Sequence, residues 1–90
     1  MHVKKEPRLF SVQQAIKSLG LTPIIEGGNE SFISVEYEWV IYLPQDQPST
    51  VIIGFEKWVD SHEAAKLSIQ FSRIMDLIGI EVVVSPDLFE

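Results

Sequence analysis

The chain contains no cysteine, which excludes disulfide staples, thiolate metal sites and a cysteine nucleophile. A reducing cytosol is therefore permitted. Histidine is scarce too: His2 and His62 are too few for a zinc centre, which needs three or four protein ligands. No run approaches 18 consecutive apolar residues, so a membrane-spanning helix is excluded. The opening "MHVKKEPRLF" has basic residues with no apolar run behind them, unlike a secretory signal. A cytoplasmic location is the resulting expectation.

Basic charge is missing from the middle of the chain. Between Lys17 and Lys57 lie 39 residues without Lys or Arg, among them Glu26, Glu30, Glu36, Glu38, Asp46 and Glu56. Residues 1–20 carry a balance of +3 and residues 21–90 one of −9, for a net charge of −6. Such a surface repels phosphate backbones, so direct nucleic-acid binding is not expected. A basic protein partner fits it better, although acidic surfaces also serve plain solubility.

What is present is ordinary globular material. Hydrophobic residues make up 46 % of the 90 and charged residues 22 %, enough apolar content for one core and too short a chain for two. A single α+β domain over 1–90 is expected, with residues 1–9 as a flexible basic arm.

"FSVQQAIKSLGL" reads as a short helix, with Ser11 as its cap, Gln14 completing a capping box and Gly20 closing it. "LTPIIEGGNES" suggests a brief strand at 22–26 and a turn on Gly27, Gly28 and Asn29. From Ser31 to Leu43 the residues alternate over 13 positions, longer than an ordinary strand, so either the run bends or carries a bulge, or its first residues belong to the turn. Val35, Tyr37, Trp39, Ile41 and Leu43 form an apolar set. Ser34, Glu36, Glu38, Val40 and Tyr42 form the opposite one. After "PQDQPS", "TVIIGFE" resumes strand character, predicting a hairpin with a wide loop.

"DSHEAAKLSIQFSRIMDLIG" is the clearest helix. Asp60 or Ser61 can cap it, Ala64, Leu67, Phe71, Ile74 and Ile78 form its stripe, and Gly79 ends it. The continuous apolar "IEVVV" that follows suggests an interior strand. Leu88 and Phe89, near the end of the sequence, suggest a tail that tucks onto the domain or a neighbour.

The expected fold is α+β: one mostly antiparallel sheet of about four strands, in element order α-β-β-β-α-β. The long C-terminal helix packs on one face. This element order resembles that of the small α+β domains of type III secretion chaperones and YbjN-type proteins. The likeness is one of element order, and no function follows from it.

Chemistry-bearing patterns are few. Asp60, Ser61 and His62 are adjacent at a helix start and cannot aim at one another as a catalytic triad must. "EGGNES" lacks the lysine and spacing of a phosphate loop. Trp39, Tyr37 and Trp58 read as packing residues. If the 31–43 run and the 51–55 strand share an inward face, Glu56 falls opposite Glu36 or Glu38. The three glutamates then gather on the outer face, with Val40, Tyr42 and Ile52 beside them and Phe32 on the same side. A face that is acidic at one end and apolar at the other suits a partner or a second copy. The first helix could equally cover it.

The expectation is thus a small acidic interaction module and not an enzyme, with no catalytic residue, metal or cofactor. It would bind a basic partner protein, or form a homodimer, through Glu36, Glu38, Glu56, Val40, Tyr42 and Ile52. The alternative is a small-ligand or enzymatic domain with a carboxylate site between sheet and helix.

Overall fold

The computed structural model describes residues 7–25, 27–28 and 30–85. Its elements are α1 (Pro7–Ser18), β1 (Pro23–Ile25), β2 (Phe32–Val35), β3 (Trp39–Tyr42), β4 (Thr50–Phe55), α2 (Ser61–Asp76) and β5 (Glu81–Val84). The strands form one sheet in the spatial order β1-β2-β3-β4-β5. Every pairing is antiparallel except β4 with β5, which is parallel and bridged by α2. The fold is α+β with a mostly antiparallel sheet, but it has five strands rather than four and the order α-β-β-β-β-α-β.

The extra strand comes from the long run at 31–43. It is not one strand but a hairpin, turning at Glu36, Tyr37 and Glu38. The Glu38 N–H donates to the Val35 carbonyl at 2.9 Å. Glu36 and Tyr37 take φ of 51° and 59°, the left-handed pair that a tight hairpin demands and that glycine or asparagine usually supplies. Val35 lies opposite Trp39 and Ile33 opposite Ile41. Directly opposed residues share a face, so the odd-numbered apolar set stays together through the turn.

That set is the floor of the core. Ile33, Val35, Trp39, Ile41, Leu43, Val51 and Ile53 are buried against Val12 and Ile16 of α1 and Phe71 and Met75 of α2. Trp39 anchors it, stacked on Phe55 at 5.1 Å and meeting Phe71 edge-on at 5.6 Å. Burying a side chain of this size contributes about 1.5–3 kcal/mol. Both helices therefore sit on one side of the sheet.

The helix ends follow local rules. The Asp60 carboxylate accepts from the Glu63 N–H at 3.2 Å, an N-cap bond. Gly20 and Gly79 both take φ of 79°. The residue after each sends its N–H back to the last turn, Leu21 to the Ile16 carbonyl at 3.2 Å and Ile80 to Met75 at 3.0 Å, closing both helices in the left-handed manner.

Several expectations are corrected. α1 begins at Pro7 rather than at a Ser11 cap, because Arg8 is buried and extends the inward face by a turn. The Arg8 Nη1 donates to the Gln47 and Thr50 carbonyls, each at 2.8 Å, tying α1 to the loop before β4. Residues 7–9 are therefore helical; the rest of the expected arm, 1–6, lies outside the described residues, as do Glu26, Asn29 and Leu88–Phe89. β5 is an edge strand rather than an interior one. Tyr37 and Trp58 are 65 % and 69 % exposed and do not pack in the core.

Candidate functional site

The sheet face opposite the helices carries Ile24, Phe32, Ser34, Val40, Tyr42, Ile52 and Val83, by the strand registers. None of these side chains is buried, whereas their odd-numbered neighbours in β2, β3 and β4 from Ile33 to Ile53 are almost all fully so. Neither helix covers the outer face; α1 packs with α2 and β1 instead. Phe32 and Tyr42, directly opposed, hold their rings 4.8 Å apart and shield each other sideways. The result is an apolar strip across the sheet.

The strip has an acidic end. Trp39 pairs with Phe55, and one step further the Glu56 N–H donates to the Glu38 carbonyl at 2.8 Å. Glu38 and Glu56 are thus directly opposed on the outer face, beside Val40. Like charges in this arrangement tend to destabilise a strand pair.

Glu36 is held elsewhere. Its carboxylate accepts from the Thr22 N–H at 3.1 Å, and its own N–H donates to the Thr22 carbonyl at 3.3 Å. It fastens the hairpin turn to the start of β1. Of the six residues expected to act together, Glu38, Glu56, Val40, Tyr42 and Ile52 share the outer face, and Glu36 lies in the turn at its rim.

Two residues that sequence reasoning assigned to packing join this end. Tyr37 is the tip of the β2–β3 turn, and Trp58 lies in the turn that follows Glu56, closed by the Val59 N–H on the Glu56 carbonyl at 3.1 Å. Each is within two residues of the opposed glutamates, and both are largely exposed. Aromatic faces beside carboxylates attract cationic side chains, through the ring quadrupole as well as charge. The signal in the sequence was the position of Trp58, between a glutamate and a helix cap, off any apolar stripe.

Comparison with protein-family models, curated proteins and solved structures finds no match. The residues alone must carry the argument.

A second feature lies where the alternative, a site between sheet and helix, would be. An open groove of about 610 Å³ lies between the end of α2 and the starts of β4 and β5, where Arg73, Asp76 and Glu81 meet Ser49 and Ser72. Asp76 and Glu81 are exposed, whereas acid–base chemistry wants a carboxylate withdrawn from water. Among the described residues no group of three His, Cys, Asp or Glu side chains could hold a metal ion. No described helix is long and apolar enough to cross a membrane.

Proposed function

We propose that this chain is a small, acidic, non-enzymatic interaction module that works in the cytoplasm and docks a basic protein partner on its outer sheet face. One observation carries the reading. The opposed Glu38 and Glu56 sit at the end of an apolar strip that neither helix covers, with exposed Tyr37 and Trp58 one and two residues from them in sequence. A partner segment with alternating apolar residues would lie along Val40, Tyr42 and Ile52. Its Lys or Arg side chain would reach the glutamates and the aromatic rings. Lining up like charges costs stability, and a cation from a partner removes that cost on binding.

The test is affinity capture from a lysate of the cells that make the protein, with mass spectrometry at low and high salt. Wild type should retain a basic protein at low salt and release it at high salt. The Glu38→Lys/Glu56→Lys variant, shown to be folded by circular dichroism, should not retain it. Equal retention by both proteins would refute the reading.

A further inference from the structure

The two edges of the sheet are finished differently. β1 is three residues long, begins at Pro23 and is tied down by the Thr22–Glu36 bonds. Among the described residues, β5 is guarded only by its four-residue length and the charge of Glu81; Glu81–Val84 has no proline, no lysine and no bulge. The Glu81 and Ser85 N–H groups donate to the Ser49 and Ile53 carbonyls, each at 2.8 Å. In a parallel ladder this commits residues 81, 83 and 85 to β4 and turns the N–H and C=O of Val82 and Val84 to the open side.

We infer that this edge is a pairing surface for a second copy of the chain, with β5 antiparallel to its counterpart about a two-fold axis at Val83. This proposal is independent of the partner-docking reading, since it rests on backbone groups at the β5 rim and on none of the residues named for docking. The register is self-complementary. Val82 of each copy faces Val84 of the other, so the outward backbone groups of both residues are satisfied in both directions. The side chains agree. Val83, 41 % exposed, would meet its own equivalent on the outer face, and the half-exposed Val84 would be covered on the helix side.

Ile69, 52 % exposed, stands three and seven residues before Ser72 and Asp76, which line the groove beside Val82. It therefore lies on the face of α2 that carries those two residues. Charge disfavours one alternative register. Pairing about Val83 sets Glu81 opposite Ser85, whereas a shift that centres Glu81 would oppose two glutamates. The symmetry is the isologous two-fold arrangement that most small homodimers use.

The charge of −6 on each chain gives the proposal a signature. Salt screens repulsion between like-charged copies, so self-pairing should strengthen with salt, opposite to the docking of a basic partner.

Sedimentation of the full chain at concentrations up to about 1 mM, the range a small interface requires, should show the mass rise from 10.2 kDa toward twice that value, more so in high salt. The Val82 and Val84 amides should exchange more slowly as concentration rises. Val84→Pro removes an outward N–H without touching the β4 ladder and should hold the mass at one chain while the urea transition persists. Val83→Lys, which leaves the backbone donors intact, should do the same by opposing two cations at the axis. A one-chain mass throughout would overturn the proposal. So would a dimer that neither variant disrupts, which would place the contact elsewhere. Amide protection independent of concentration would also overturn it, because the edge would then be covered within one chain.

Discussion

Replacing Glu38 by Gln should make the protein more stable. Glu38 and Glu56 are joined by a backbone hydrogen bond of 2.8 Å, and directly opposed residues hold their Cβ atoms about 5 Å apart. Two unit charges that close would repel by about 0.8 kcal/mol in water, and by roughly twice that at an effective dielectric constant near 40; the flexible stems let the carboxylates stand further apart, so both are upper figures. Glu38 is exposed and Glu56 half-buried, so the lower figure governs, and physiological salt with its Debye length of about 8 Å roughly halves it. The expected gain is about 0.3–0.8 kcal/mol at low salt, a rise in melting temperature of roughly 1–6 °C for a domain of this size.

Urea or thermal unfolding followed at low and high ionic strength is the assay. Added salt should stabilise the wild type and close the gap between the two proteins. If Glu38→Gln melts lower than wild type at low salt, the carboxylates are not repelling one another and this end of the face is not poised to receive a cation.

Arg8→Met, which keeps the apolar stem and removes the guanidinium, should cost about 2–4 kcal/mol through loss of two charge-assisted bonds to the Gln47 and Thr50 carbonyls; a urea midpoint shifted by less than about 0.5 M would contradict this. Tyr37→Gly should stabilise the hairpin by up to about 1 kcal/mol, because glycine adopts the φ of 59° without strain, and the melting temperature should rise accordingly.

The core was legible in the sequence for a specific geometric reason. Reading 31–43 as one strand missed a turn, yet it grouped Val35, Trp39, Ile41 and Leu43 correctly, because a three-residue loop returns the chain in a register that opposes odd to odd. Period-two alternation therefore survived the error and failed only at Tyr37, the residue at the tip. The turn itself was hidden. Glu36 and Tyr37 carry no turn signature, and their left-handed backbone is imposed by the pairing of flanking strands and the bonds of Glu36 to Thr22.

β5 misled for a related reason. Continuous valines suggested two covered faces, but Val82 faces the helix layer while Val83 joins the outer strip at the sheet's rim. Arg8 was read as part of a solvated arm because local charge says nothing of the carbonyls that converge on it from 39 and 42 residues away. At the candidate site, alternation predicted the opposition of Glu56 to a neighbouring glutamate; the choice of Glu38 over Glu36 needed the observed register.

The two tryptophans are placed as a matched pair of optical reporters. Trp39, 1 % exposed and held between Phe55 and Phe71, emits from a dry environment, whereas Trp58, 69 % exposed beside Glu56, emits from water. A soluble quencher such as acrylamide separates their signals in one sample. Loss of Trp39's protection reports unfolding, and protection gained by Trp58 would report occupancy of the proposed docking end. The molecule thus carries its own internal reference, able to separate binding from denaturation without an added label.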